Sequence, residues 1–278
     1  TLAPRMRPGL SRNTFAALLI VVSACAASAR NVPGAEHATA ALVSGFVQNK
    51  VLWICLGIAV WHLLRNSSPA LGGSHLAAAV PAMILAASAA GIWPWIGLSL
   101  FLAMLLATPG WGPARTGLLI ALVAALHEVA INVVGELGGD ILLGIDAWIA
   151  ATLASAFLPD LQVEGNALQM PGGHMVVLVW GCSSLTNLGD ALLMFWALVS
   201  IGVSGSANRR QRRRFVGGIA IIACITIALN ATRLTLMAGD HGTFHYLHTG
   251  EGAAWFRLAT LGITVLMSRW LFRDEQGL

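Results

Sequence analysis

Three short stretches of this 278-residue chain carry side chains that can make and break an acyl bond. Cys182 stands in Trp180-Gly181-Cys182-Ser183-Ser184-Leu185, where an apolar run begins. Asn230 and Arg233 close another run in Asn230-Ala231-Thr232-Arg233-Leu234, and His241, His245 and His248 crowd the loop that follows. A thiol, a fixed positive charge and a proton carrier are the parts of a cysteine acyl transfer. A cysteine at a helix N-terminus sees the positive end of the dipole and free N–H groups, both of which favour thiolate. A histidine takes the thiol proton and later returns one to a leaving amine. An arginine stays charged and holds the developing oxyanion. Asn230, one helical turn before Arg233, shares its face and can orient the guanidinium.

Each of these residues also has an ordinary structural explanation. Cys25, Cys55 and Cys224 lie inside apolar runs and read as small core residues. Arg233 alone would be an interfacial anchor with its charge at the surface. The three loop histidines lack a fourth ligand at zinc spacing, so neither metal nor cofactor is expected.

The elements that must position these residues follow from composition. Hydrophobic residues make up 57% of the chain and charged ones 10%, with a mean hydropathy of +0.76. Soluble chains carry about a quarter charged residues, so the expected class is an all-α, polytopic membrane helix bundle. Nine apolar runs can be traced: Thr14–Ala29, Phe46–Leu64, Leu76–Gly91, Ile92–Ala107, Thr116–Val134, Ile141–Leu158, Ser183–Val203, Phe215–Ala231 and Ala253–Phe272. Gly-Pro and Gly-Gly pairs, Gly138–Gly139 among them, separate most of them. Trp93, Trp95, Trp111 and Trp180 lie at run ends, as interfacial rings do. The first run, arginine-rich at its start and ending Ala27-Ser28-Ala29, resembles a signal peptide; the reading carried forward is an uncleaved first helix.

The net charge of +4 does not point to nucleic acid. The basic residues cluster at Arg5, Arg7 and Arg12, at Arg65, at Arg115, at Arg209–Arg214, and at Arg269 and Arg273, each at the end of an apolar run. That is the cytoplasmic-loop pattern of a membrane protein. Alternating runs satisfy every cluster only if Ile141–Leu158, which carries Asp146 and is flanked by Asp140 and Asp160, does not cross. It is expected to be an amphipathic helix on the outer surface. Eight spanning helices and cytoplasmic termini follow, with residues 1–115 holding the first four and residues 116–278 the rest, all as one membrane domain. Cys182, Arg233 and the histidine loop then share the outer face.

A second polar set lies in the fifth run. Glu128, Asn132 and Glu136 fall on one helical stripe beside His127, and they read either as a polar wall beside a substrate or as interhelical hydrogen bonding. In the seventh run Thr186 and Asp190 continue the Cys182 face, with Asn187 beside it; Asp190 is a candidate partner for Arg233 or a histidine.

The segment Val163-Glu164-Gly165-Asn166 through Gly181-Cys182-Ser183-Ser184-Leu185, then Asn230-Ala231-Thr232-Arg233-Leu234, then His248-Thr249-Gly250-Glu251-Gly252 resembles the exosortase/archaeosortase family of membrane transpeptidases. The resemblance covers roughly residues 117–272. It implies Cys182 as nucleophile, Arg233 as transition-state stabiliser and His248 as acid/base, His248 being the histidine followed four residues later by Gly252. Asn230, Ser183, Ser184, Gly252 and Asp190 are the supporting residues. One departure stands out: the family's glycine after Cys-Ser is Ser184 here.

By resemblance, the substrates are secreted proteins with a C-terminal sorting signal: a short Pro-Glu-Pro-like motif, a transmembrane helix and a basic cluster. They would be cut at the outer face of the cell (inner) membrane and passed to an acceptor, in bacteria often alongside exopolysaccharide production. Membrane lipid and a larger membrane assembly are further expected partners. Two other functions fit the composition: a non-catalytic membrane subunit or scaffold, and a transporter. A transporter predicts internal repeats, and none is visible.

Overall fold

The computed structural model describes residues 11–30, 49–66, 92–202 and 209–272, with isolated positions between 77 and 85. The run Leu76–Gly91 falls almost wholly outside the described residues. So do the start of the second run, Arg5, Arg7, Arg273 and the loop 203–208. Among the described residues the chain is all-α apart from one small sheet. The helices described are α1 (Arg12–Arg30), α2 (Lys50–Arg65), α3 (Trp93–Ala107), α4 (Ala114–Ala154), α5 (Ser184–Gly202), α6 (Arg209–Gly239), α7 (His241–His248) and α8 (Glu251–Phe272). Three of them, α4, α5 and α6, are long and apolar enough to cross a membrane; α1 and α3 are shorter apolar helices. The coarser reading holds, an all-α apolar protein with three candidate crossings among the described residues.

The chain divides into two compact units, residues 1–130 and 131–278. In the first, α1 packs on α2 and α3. Leu52, Leu56, Ala59 and Leu63 form the buried stripe of α2, at the spacing that puts them on one helical face. Gly117 of α4 lets the helices approach: a Cβ there would lie 2.6 Å from the Ala59 carbonyl oxygen. The polar groups of α1 are used as staples. Arg12, buried, donates to the carbonyls of Pro109 and Gly110 and lies 3.8 Å over the Trp111 ring. The Asn13 amide donates to the Leu63 and Asn66 carbonyls. Trp95 and Trp111 are therefore core residues, contrary to the interfacial reading, and Trp111 gives its N–H to the Leu105 carbonyl. Glu128 accepts from the Asn49 side chain at 2.6 Å, and Asn49 also caps α2 by accepting from the Leu52 N–H.

In the second unit α5, α6 and α8 pack together and α7 lies against α6 and α8. One core joins Leu143, Ala147 and Ala150 of α4 to Leu234, Met237 and Ala238 of α6 and to Cys182 and Leu247. A second holds Phe195, Ile222 and Phe272, with Phe195 stacked on Phe215 at 5.5 Å. Gly218 is required there, since a Cβ would meet the Phe195 ring at 2.6 Å.

The expected separate surface helix at Ile141–Leu158 is corrected. The fifth and sixth runs form one helix, α4, 41 residues and about 60 Å long. Nor is its second half amphipathic: Leu143, Ala147 and Ala150 are buried on one side, while Leu137, Ile141, Ile145 and Trp148 are exposed on the other. Glycine costs a helix about 1 kcal/mol relative to alanine, too little to break one flanked by strong helix formers. The glycines instead make room, because a Cβ at Gly135 would sit 3.0 Å from the Trp180 indole and one at Gly139 3.8 Å from it.

Between α4 and α5 runs a three-stranded antiparallel sheet that the apolar periodicity does not reveal: β1 (Gln162–Glu164), β2 (Ala167–Gln169) and β3 (Met175–Val177). Glu164 pairs with Ala167, leaving the two-residue loop Gly165–Asn166, where Gly165 takes the left-handed φ of +58°. Asn166 and Leu178 exchange two hydrogen bonds that lead the chain toward Cys182.

Candidate active site

Cys182 ends a tight 3₁₀ turn, Trp180–Cys182, immediately before α5. Its thiol is buried, 4% exposed, and the sulfur lies 3.6 Å from His248 Nδ1. His248 is the last residue of α7, whose start is set by Asp240 accepting from the Thr243 N–H. Phe244, one turn earlier, stacks on the imidazole with centroids 4.9 Å apart and planes 14° from parallel, which fixes the ring's orientation. The corner after α7 needs Gly252, because a Cβ there would come within 2.8 Å of the Tyr246 ring and of Leu247 Cδ2.

Arg233 reaches the same place from α6. Its Nε and Nη2 both donate to the Leu247 carbonyl, at 3.1 and 3.0 Å, which anchors the guanidinium beside His248 and within electrostatic reach of Cys182. Partial burial, then the Arg233 charge, then His245 hold the His248 pKa below the usual histidine value. The neutral imidazole is thus favoured, the form that accepts a proton from a thiol.

Asn230 ties the pieces together. Its buried amide donates to the Cys182 carbonyl at 2.9 Å and to Ser184 Oγ at 3.0 Å, and its Oδ1 accepts from Asn187 at 3.1 Å. Ser184 is used as that acceptor. The Asn187 amide also donates to the Ser183 carbonyl. Asn230 therefore holds the cysteine turn; its bonds do not go to Arg233.

One expectation changes: the backbone N–H groups of residues 182–185 are engaged rather than free. The N–H of Cys182 goes to Val179, that of Ser183 to Trp180, that of Leu185 to Ser183 Oγ, and that of Ser184 to Asp146 Oδ2 at 2.8 Å. A carboxylate therefore caps α5, and the Arg233 guanidinium is a cation within electrostatic reach of the sulfur. Asp190 stands further along α5 than Asn187, which meets Asn230.

The remaining candidates sit elsewhere. His241 and His245 are exposed and pack edge to face at 4.7 Å; His174 lies edge-on to His241 and bonds the Met237 carbonyl. Among the described residues no group of histidine, cysteine and carboxylate side chains could hold a metal. Of the polar stripe, Glu128 is engaged with Asn49 within the first unit, the interhelical bonding that was one of its two readings; His127 and Asn132 also have partners. The residues not anticipated are Asp146 as cap of α5 and Phe244. Asp146 left a trace in the sequence, as an acid inside an apolar run, and Asn187 was legible beside the Cys182 face. Compared with known proteins, the chain matches no family model, no curated sequence and no solved structure.

Proposed function

We propose that this chain is an exosortase-like membrane cysteine transpeptidase. The observation that carries the reading is the 3.6 Å approach of Cys182 Sγ to His248 Nδ1, with the Arg233 guanidinium anchored alongside. His248 takes the thiol proton and the sulfur attacks the scissile carbonyl. Arg233 meets the oxyanion of the tetrahedral intermediate with the N–H groups not bound to Leu247. The intermediate collapses as His248 protonates the departing amine, leaving an acyl thioester on Cys182. An acceptor nucleophile then gives its proton to His248 and releases the thiol.

The substrate class is the secreted protein with a C-terminal transmembrane sorting signal, cut at the outer face of the cell membrane. With α4 as a single crossing for the fifth and sixth runs, the arginine clusters remain compatible with eight crossings and cytoplasmic termini. Co-expression with a sorting-signal substrate tests the reading. Cys182→Ala, His248→Ala and Arg233→Lys should each reduce processing at least a hundredfold, since one oxyanion donor alone contributes about 3–4 kcal/mol. His245→Ala should keep most of it. Full processing by Cys182→Ala would refute the transpeptidase and favour the scaffold.

A further inference from the structure

Asp146 uses only one of its two carboxylate oxygens. Oδ2 accepts the Ser184 N–H, while Oδ1 accepts no hydrogen bond, although the residue is only 5% exposed. Among the described residues no arginine, lysine or histidine pairs with it. The α5 dipole puts about half a positive charge at that helix's N-terminus, which offsets only part of the full negative charge. A buried carboxylate among apolar side chains is costly without a cation. Asp146 lines a cavity of about 140 Å³ between α4, α5 and α6, walled by Leu142, Ile149, Leu188 and Ile227, with Ile145 half exposed at its rim. Ser183 and Ser184 are the other polar residues on its wall, and their hydroxyl oxygens accept from the Leu185 N–H and the Asn230 amide. Neither brings a positive charge. Cys182, Arg233 and His248 do not line this space, so it is separate from the candidate active site.

We infer that this cavity binds a primary ammonium carried on a short apolar body, the nitrogen on Asp146 Oδ1 and the carbons against the aliphatic walls. The ammonium supplies the missing charge and a charge-assisted hydrogen bond to the unused oxygen. The walls set the size of the rest: an aliphatic cavity of about 150 Å³ holds a benzene molecule, so a body of about six carbons fits. A metal ion fits poorly, because one carboxylate among aliphatic side chains offers too few oxygen ligands for a hard cation. The inference does not depend on Cys182 being a nucleophile, since its readout is amine binding.

Fluorine NMR of 4-fluorobenzylamine with the full chain in lipid nanodiscs tests it, against nanodiscs without protein. The ligand line should broaden saturably with the chain present, and unlabelled benzylamine should compete the broadening away. 4-Fluorobenzyl alcohol, the same body without the charge, should bind about tenfold or more weakly, the difference between a charge-assisted and a neutral hydrogen bond. Asp146→Asn keeps an oxygen acceptor for the Ser184 N–H, and should lower amine affinity by about the same factor while leaving the alcohol unchanged. Leu188→Phe, which fills the cavity, should weaken both ligands. Glu136→Gln, which removes an exposed carboxylate from the same helix, should weaken neither. Equal binding of amine and alcohol, unchanged amine binding in Asp146→Asn, or no saturable binding to the unaltered chain would overturn the assignment. So would equal losses in Asp146→Asn and Glu136→Gln, which would make the amine a counter-ion of surface charge.

Discussion

Asp146 offers the sharpest test of how the cysteine turn is held. Its carboxylate, 5% exposed, accepts the Ser184 N–H at 2.8 Å, two residues beyond Cys182. A hydrogen bond to a charged group contributes about 1.5–3 kcal/mol, and a negative charge at a helix N-terminus adds about 0.3–1 kcal/mol. Asp146→Ala removes both and leaves a buried N–H without a partner, so the turn should open more readily by about 2–4 kcal/mol. Asp146→Asn keeps an oxygen acceptor in the same place and loses only the charge. The readout is maleimide labelling of Cys182, whose burial makes the reaction report local opening, in a Cys25→Ser, Cys55→Ser, Cys224→Ser background. Labelling should accelerate about 30- to 700-fold in Asp146→Ala and no more than about fivefold in Asp146→Asn. Unchanged labelling in Asp146→Ala would refute the capping argument, and equal acceleration in both variants would show that charge, not the bond, holds the turn.

Other expectations follow from the same contacts. Because its pKa lies below the ordinary value of about 6.5, His248 should be neutral at pH 7 and lose its base function only as pH falls through that depressed value. Ring NMR should show the midpoint rising toward the ordinary value in Arg233→Gln, and a wild-type midpoint above 6.5 would contradict the assigned causes. Gly252→Ala should push on Tyr246 and Leu247 and destabilise the chain by about 1–3 kcal/mol as an overpacking change, measurable as a lower thermal midpoint. Ser184→Gly should lose one bond to Asn230 and cost about 1 kcal/mol; a stability gain would mean that the serine bond is not made. If residues 159–181 face outward, a cysteine at Asp160 should label from outside and one at Arg209 only from inside; the reverse would overturn the proposed orientation.

Much of the helical framework was legible because it depends on short-range pattern. Long apolar runs with few breakers become helices wherever their backbone groups bond within the run, and residues of one run share a face by period alone. Composition likewise determined that this is an apolar, helix-rich chain, and residue type marked Cys182, Arg233 and the three histidines 241, 245 and 248 as candidates for chemistry. Period and punctuation failed where a distant partner decided the outcome. Gly138–Gly139 reads as a break, yet α4 runs through it, and the nearby Gly135 and Gly139 accommodate the Trp180 ring. Glu128 reads as a costly intramembrane acid, yet Asn49, 79 residues away, satisfies it.

The site itself was decided by tertiary structure. Asp146 meets Ser184 across 38 residues, Asn230 meets Cys182 across 48, and His248 meets the sulfur across 66. Hydrogen bonds and Coulomb forces act over a few ångströms in space whatever the separation along the chain. The sequence therefore named the candidate groups, while only the packing of α4, α6 and α7 around the turn determined which backbone donors are spent, which histidine faces the thiol, and which charge lies within reach of it.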